Sequence, residues 1–284
     1  MDIFDHILSS RKLLSIIFLS RENTLNRLLE LSNEIFRIKT DDYTFPLFSS
    51  LHFKIILCVV ITIFIAIIFK EKIKKWRYRR AFEIITALIL ISTQIFLAIW
   101  YSRFPNFYLK ESLPLYPCRI AIIMAAIGLI WKKNDFAKSI AYFWGTIGAI
   151  GALMIPITNS YIFPHITYYT FFIGHYFLLI ASLYLILIEE FKVKSENVKQ
   201  ALIFSFIFAI CAFVANYLFD ANYAFLNPPN GYEILNLINI ESNIITTSIF
   251  AYFIFVLGIF LMYLPFNISD YKKDSLFECS LIKY

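Results

Sequence analysis

Seven long runs of apolar residues alternate with short polar stretches along most of this chain. The runs cover residues 51–69, 81–101, 118–131, 139–156, 168–188, 201–219 and 244–264. A helix that crosses the hydrocarbon core of a bilayer needs about 20 apolar residues, because each residue adds about 1.5 Å. The pattern therefore predicts an all-α polytopic membrane protein with seven transmembrane helices. The third run is short, and Pro114 and Pro117 before it favour a helix start over a helix interior.

The first 50 residues follow a different pattern. The apolar stretch 12–20 is too short to span a bilayer. Between residues 23 and 38, Leu25, Leu28, Leu29 and Phe36 recur at helical spacing with charged residues between them. This spacing predicts an amphipathic helix, which either lies at the membrane interface or packs against the helix bundle.

Basic residues in the connections predict the orientation. The first connection, 70–80, carries seven of them, and the third (132–138), the fifth (192–199) and the C-terminal tail carry three each. The second connection carries Arg103 and Lys110, and the fourth and sixth carry none. Because basic residues favour the cytoplasmic side, we expect the C-terminus inside and the N-terminus outside. The predicted divisions are an interfacial segment 1–50, a transmembrane domain 51–266 and a cytoplasmic tail 267–284.

The composition agrees with a membrane protein and narrows the function. Hydrophobic residues make up 60% of the chain and charged residues 16%, whereas a soluble domain has about 25% charged residues. The mean hydropathy is +0.69. The net charge of +6 falls in short connections that orient the chain, so we expect no nucleic-acid partner. The four cysteines form no CxxC pair, so the sequence suggests neither a zinc site nor a disulfide framework. We expect no metal and no other cofactor.

Small residues mark one helix face. Glycine is scarce, with seven residues in the chain, yet Gly145, Gly148 and Gly151 recur at i, i+3 spacing in the fourth run. This spacing predicts a smooth stripe where a neighbouring helix approaches closely.

Cys118 and His175 are the strongest candidates for chemistry. Cys118 begins the third helix, where a helix N-terminus and the neighbouring Arg119 stabilise a thiolate. His175 lies about two turns into the fifth helix, roughly 10 Å below the outer surface. An ionisable residue inside a span indicates function by default. Together the two residues suggest a nucleophile and its general base, although an apolar cysteine and a structural histidine are alternatives.

Further polar residues fall on the same side of the membrane and are candidates for substrate or oxyanion binding. They are Arg119, Asn216, Asn222, Tyr223 and His165. Four of them also have a simpler interpretation. Arg119 can extend to lipid phosphates, and Asn216 can hydrogen-bond between helices. Tyr223 can belong to an interfacial aromatic belt, and His165 can be a solvated loop residue.

The same residues occur in short segments that are similar to a known family. Their order and spacing fit from about residue 80 to residue 266. On these segments the chain resembles the YwaF-like family of bacterial integral membrane proteins, which is related to eukaryotic transmembrane protein 164. In chain order the segments are Leu113-Pro114-Leu115-Tyr116-Pro117-Cys118-Arg119, Tyr142-Phe143-Trp144-Gly145 with Gly148, Phe163-Pro164-His165, Gly174-His175, residues 183–189, Asn216, Asn222-Tyr223, Pro228-Pro229 and Tyr263-Leu264-Pro265-Phe266.

The resemblance implies a cysteine-dependent acyltransferase of phospholipid metabolism in the bacterial plasma membrane. In this reading Cys118 is the nucleophile and His175 the base, and an acyl chain passes from a phospholipid through a Cys118 thioester to a lysolipid or another amphiphilic acceptor. Membrane phospholipids and lysolipids are the implied partners. The chain departs from the family at Pro117 and Gly174, where a small or aliphatic residue and a serine are common.

Two other functions are also consistent with the sequence. A non-enzymatic binding or transport protein would use Arg119, His175 and Asn222 to hold a solute or headgroup in an outward-facing polar pocket. A structural subunit of a complex is the third alternative.

Overall fold

The computed structural model describes the backbone of residues 24–226 and 244–281, and their side chains except those of residues 106, 107, 244 and 268–281. Within these ranges the regular structure is helical, with no β-strand. The apolar stretch 12–20 and the Pro228-Pro229 segment lie outside the described residues.

The helices follow the apolar runs along the chain. A helix over residues 24–35 (α1) precedes them. The others are α2 (Ser50–Lys74), α3 (Arg79–Tyr101), α4 (Pro117–Ile130), α5 (Asp135–Ile140), α6 (Thr146–Met154), α7 (Ile166–Leu187), α8 (Ser195–Phe219) and α9 (Ile244–Leu281). Two short 3₁₀ turns, Pro105–Tyr108 and Tyr223–Phe225, lie in the connections.

Five helices are long and apolar enough to cross a bilayer: α2, α3, α7, α8 and the segment Ile245–Asn267 of α9. They make the chain a multi-pass helical membrane protein. The third and fourth apolar runs form shorter helices. At about 1.5 Å per residue, the 14 residues of α4 reach about 21 Å. Thus five of the seven predicted spans are identified by length and composition among the described residues.

The third run gives a helix that starts where the prolines predict. Pro117 is the first residue of α4, and its ring fixes a φ suited to a first turn. The helix ends at Ile130, before the polar stretch 131–135. The prediction of a helix start at Pro117 is confirmed.

The fourth run differs from the single helix that the sequence predicts. A π-helical turn, Ala141–Gly145, separates α5 from α6. Such a turn changes which backbone carbonyls are paired. The Ser182 hydroxyl donates to the carbonyl oxygen of Ala141 at 2.8 Å, so a side chain of α7 stabilises the interruption. Local apolar periodicity contains no signal for it.

Helix α7 lies at the centre of the bundle. Half of its most apolar stretch is buried, against 6% for α9. It packs against α3, α4 and α6. Small residues permit the close approach, since Ala87, Ala121 and Ala181 are completely buried.

A network of ion pairs closes the end of the bundle that carries the basic connections. Glu83 of α3, 1% exposed, pairs with Lys132 at 2.7 Å and accepts from the Tyr184 hydroxyl at 2.6 Å. Glu189 pairs with Lys132 and, at 3.0 Å, with Lys138. Buried charges need such partners, and these pairs join α3 and α7 to the connection between α4 and α5.

The other end of the bundle is crossed by the segment 36–41. The Arg37 guanidinium pairs with Asp41 and donates to the carbonyl oxygens of Ile162 and Pro164 at 2.9 and 2.8 Å. The Asp41 carboxylate in turn accepts from the backbone N–H of Ile162 at 2.9 Å. This segment therefore holds the connection between α6 and α7 in place.

Helix α1 confirms the helical pattern of the N-terminal region. Leu25, Leu28, Leu29 and Leu31 on it are all exposed. Its position at the membrane interface, and the three-part division of the chain, stay predictions.

Candidate functional site

A cavity of about 560 Å³ opens within the bundle near the N-terminus of α4. Helices α3, α4, α6 and α7 and the connections that follow α3, α6 and α8 contribute to its wall. Its polar and small lining residues include Gln94, Tyr101, Glu111, Tyr116, Cys118, Arg119, Gly148, Gly151, Asn159, Thr170, His175 and Asn222.

Cys118 lies in the first turn of α4 and is half-buried. The N-terminal turn of a helix presents unpaired N–H groups and partial positive charge, which stabilise negative charge that develops there. The thiol lies against α6: a Cβ atom placed on Gly148 would be 3.1 Å from Cys118 Sγ. The glycine thus leaves room for the sulfur at the cavity wall.

His175 has one ring nitrogen fixed by the backbone of its own helix. Its Nδ1 lies 2.7 Å from the carbonyl oxygen of Phe171. A carbonyl oxygen only accepts, so Nδ1 carries the proton and donates it. In the neutral ring, Nε2 is then left with a lone pair, the form that a general base requires.

Contacts between helices place the two residues at the same level. The Ser182 hydroxyl of α7 donates to the Ala141 carbonyl oxygen, and a Cβ on Gly145, four residues after Ala141, would lie 3.0 Å from Leu178, four residues before Ser182. The fourth apolar run and α7 therefore run antiparallel. Gly148, one turn further along α6, therefore lies at the level of His175, and it is Gly148 that touches Cys118. Within the described residues no hydrogen bond joins Cys118 to His175. The structure thus brings the predicted pair to one cavity and one level without a direct bond.

Arg119 lines the cavity and also anchors its rim. Its guanidinium donates to the carbonyl oxygens of Glu111 at 2.8 Å and Leu113 at 3.1 Å. It also donates to the Tyr101 hydroxyl at 2.8 Å and lies over the ring of Tyr116, 4.9 Å from its centroid. The arginine therefore fixes the connection that leads into Cys118.

Glu111 is a cavity residue that sequence reasoning missed. Its carboxyl group accepts from Tyr101 at 3.4 Å and from Asn159 at 3.5 Å. Burial raises the pKa of Glu111, while the nearby Arg119 guanidinium opposes that rise. In the sequence, Glu111 stands out only as an acidic residue in a connection, seven positions before Cys118. Acidic residues in connections are usually solvated surface charges. Gln94 was missed as well, because it is a single polar residue within the apolar run of α3.

Asn222 lines the cavity, whereas Asn216 and Tyr223 lie behind its wall. The Asn216 amide donates to the Tyr223 carbonyl oxygen at 3.0 Å and accepts from the Tyr223 N–H at 2.6 Å. The Tyr223 hydroxyl accepts from the backbone N–H of Leu113 at 3.1 Å. These two residues therefore join the end of α8 to the rim that Arg119 holds.

His165 lies outside the cavity lining and caps α7. Its Nδ1 accepts from the Thr167 N–H at 3.3 Å, and its Nε2 donates to the Arg37 carbonyl oxygen at 3.0 Å. The ring stacks on Tyr161 with centroids 3.7 Å apart. Burial lowers the pKa of His165 to about 4. Through these hydrogen bonds His165 connects the segment 36–41 to the start of α7.

In the described ranges, no group of three or more histidine, cysteine, aspartate or glutamate side chains is arranged to hold a metal ion. The polar groups of the cavity are instead a thiol, an imidazole, amides, hydroxyls, a carboxyl group and a guanidinium. Fold and cavity together define a multi-pass helical membrane protein with a cysteine and a histidine in one cavity of its helix bundle.

The chain belongs to the TMEM164 family, whose family model matches residues 47–267. This match confirms the relation to transmembrane protein 164 that the sequence segments indicated. Comparison with curated proteins and with solved structures gave no match.

Proposed function

We propose that the protein is a membrane-embedded acyltransferase. It moves an acyl chain from a phospholipid through a thioester on Cys118 to a lysolipid or another amphiphilic acceptor. The observation that carries this proposal is that Cys118 and His175 line one cavity at one level of the bundle, with His175 Nε2 left as an acceptor. Nucleophile–base contacts are often long without substrate and tighten in its complex.

The reaction has two balanced halves. His175 Nε2 takes the thiol proton, Cys118 Sγ forms a bond to the ester carbonyl carbon, and the ester C–O bond breaks. The leaving lysolipid oxygen takes the proton back from His175. In the second half, His175 removes the proton of the acceptor hydroxyl, the acceptor oxygen attacks the thioester, and the C–S bond breaks with return of the proton to Cys118.

The remaining predicted residues have supporting roles in this proposal. Arg119 and Asn222 line the cavity and would contact the polar part of a lipid. Asn216, Tyr223 and His165 would act indirectly, since their hydrogen bonds hold the connections around the cavity.

We further propose seven passes with the C-terminus in the cytoplasm of a bacterial cell. Helix α4 and the α5–α6 stretch would be the two short passes. The basic connections and the ion-pair network then lie inside, and the cavity opens toward the outer leaflet. An ester carbonyl lies just below the headgroups, which matches the shallow position of Cys118 at a helix start.

The test uses purified protein in lipid nanodiscs with a diacyl phospholipid that carries a radiolabelled acyl chain. We expect hydroxylamine-sensitive label on Cys118 and release of lysolipid. Cys118→Ser should abolish the thioester, and His175→Gln should slow its formation by about 10²-fold or more. Cys58→Ser and Cys211→Ser are matched controls, because both cysteines lie on exposed helix faces. Folded wild-type protein that shows neither label nor turnover would refute the enzyme.

A non-enzymatic lipid-binding or transport protein is the second candidate. The observation in its favour is the lack of a hydrogen bond between Cys118 and His175 in a cavity that also presents Arg119 and Asn222. Equal binding of a fluorescent lysolipid by wild type and Cys118→Ala, without turnover by either, would favour this function.

A further inference from the structure

We propose that Gln94 is a further catalytic residue of this site, whose side-chain amide donates a hydrogen bond to the acyl carbonyl oxygen as that oxygen becomes negative. The inference rests on the proposed acyl transfer and deepens it. Gln94 is half-buried in the long apolar helix α3, and it lines the same cavity as Cys118 and His175. A polar group inside a span that faces a cavity is a functional candidate by default.

Packing contacts place Gln94 at the level of the predicted pair. A Cβ atom on Gly174 would lie 3.6 Å from Thr93 Oγ1 and 3.3 Å from Ile122 Cδ1. Helices α3, α7 and α4 therefore meet at this height. Gln94 follows Thr93 and His175 follows Gly174, while Cys118 lies one turn before Ile122. The amide, imidazole and thiol thus surround the cavity within about one helical turn of one another.

The side-chain amide of Gln94 has an N–H group available for a further hydrogen bond. Gln94 Nε2 donates one hydrogen to Thr93 Oγ1 at 3.2 Å, and the Thr93 hydroxyl itself donates to the Leu90 carbonyl oxygen at 2.7 Å. A primary amide has two N–H groups. In the part of the chain that the structure describes, the second makes no hydrogen bond. An amide in an apolar span without its full set of partners carries a desolvation cost, which an oxyanion would relieve.

The first turn of α4 supplies the complementary donor. Pro117 has no N–H, and the N–H of Arg119 donates to the Tyr116 carbonyl oxygen at 2.9 Å. The backbone N–H of Cys118 lies between them, at the positive end of the helix. When Cys118 Sγ bonds to the carbonyl carbon, the C=O π electrons move to the oxygen. That oxygen would lie between the Cys118 N–H and the Gln94 amide, and the negative charge returns to the carbonyl as the ester C–O bond breaks.

Other polar residues fit this role less well. The Arg119 guanidinium is bonded to rim carbonyl oxygens and to Tyr101. Asn222 belongs to the connection after α8, at the outer end of the cavity. Gln94 is the side-chain amide that α3 presents at the level of His175.

The experiment measures acyl transfer and single-turnover acylation of Cys118 in nanodiscs. For Gln94→Leu we expect kcat to fall by about 10²-fold to 10³-fold, the usual effect of losing one oxyanion donor, with KM changed less than about threefold. Gln94→Glu keeps the shape of the side chain but replaces the amide by a carboxylate, so it should lose as much. Ser92→Ala is the matched control, because Ser92 lies two residues away and its hydroxyl donates to the Ile89 carbonyl oxygen at 2.8 Å.

The outcomes separate the two proposals. A wild-type protein that forms the Cys118 thioester, together with Gln94 variants that keep kcat within about threefold, overturns the role of Gln94 alone. An effect confined to KM also overturns it, since an oxyanion donor acts in the transition state. A wild-type protein without thioester overturns the acyl transfer and this inference with it. Thermal unfolding midpoints equal to that of Ser92→Ala show that both Gln94 variants are folded.

Discussion

The described histidines differ in whether one or both of their ring nitrogens make a hydrogen bond. Both ring nitrogens of His52 are occupied, by the Phe48 N–H and the Leu153 carbonyl oxygen. His165 is also satisfied on both sides. His175 has a partner on Nδ1 alone among the described residues, and it is the histidine that lines the cavity. The unused nitrogen, more than the residue type, makes His175 the candidate base.

The first prediction concerns the pH dependence that His165 confers. Its pKa of about 4 in the folded protein lies below the ordinary value of 6.5, chiefly because it is buried. The guanidinium of Arg37 also lowers it, and the carboxylate of Asp41 opposes the shift. Protonation would place a donor on Nδ1 against the Thr167 N–H. Neutral His165 therefore contributes stability above pH 6.5 that is lost as the pH falls toward 4.

The measurement is the thermal unfolding midpoint of wild type and His165→Gln between pH 7.5 and 4.5. The wild type should lose on the order of 2 kcal/mol of stability over this range because of His165. The variant should start less stable at pH 7.5 and show a flatter profile. Parallel profiles for the two proteins would contradict the assignment.

Three glycines that follow one another at i, i+3 spacing, from the end of the π turn into α6, have three different surroundings. A Cβ on Gly145 would lie 2.6 Å from Ser182 Oγ, one on Gly148 would lie 3.1 Å from Cys118 Sγ, and one on Gly151 would meet nothing within 4 Å. The stripe that the sequence predicts is therefore a close helix contact at one end and cavity wall at the other. A change from glycine to alanine gains the same helix propensity at each position. A difference between two such variants therefore reports the surroundings of the added methyl group.

The second prediction uses this face. In Gly148→Ala the new methyl group must displace the Cys118 sulfur by a few tenths of an ångström, so thioester formation should slow by about tenfold. Gly151→Ala is the control, with the same gain in helix propensity and open space around the methyl group. Single-turnover acylation measures both. Equal rates in the two variants would show that the Gly148 contact does not position the thiol.

The whole molecule has two unlike ends. One carries the basic connections and the buried network of Glu83, Lys132, Lys138 and Glu189. The other carries the cavity and the segment 36–41. Helix α3 connects them over about 33 Å, from Arg79 to Tyr101. This length matches a bilayer core, so the two ends are placed to face opposite sides of the membrane.

The third prediction is the orientation of these ends. In a background with all four native cysteines replaced, Ile162→Cys should react with a membrane-impermeant maleimide on intact cells. Tyr78→Cys should react only after the cells are permeabilised. Both parent side chains are about half exposed, at 48% and 57%, so accessibility is matched. The opposite labelling pattern would reverse the proposed topology.

The sequence by itself determined which segments are apolar and helical. It predicted the helix start at Pro117 and placed Cys118 and His175 on different helices near one side. It also carried the segments of the TMEM164 family. These features are local, since hydropathy, proline geometry and short motifs act within a few residues.

Only the tertiary structure decided which polar groups share the cavity. Glu111 and Gln94 line the cavity, whereas His165 lies outside it and bonds to the segment 36–41. The fourth apolar run is interrupted by the π turn that Ser182 stabilises. The physical reason lies in the lipid environment. Lipid and protein interior are equally apolar, so hydropathy does not separate a buried helix face from a lipid-facing one. Which side chains meet across the bundle is set by contacts between helices, such as those of Gly148 with Cys118 and of Gly174 with Thr93.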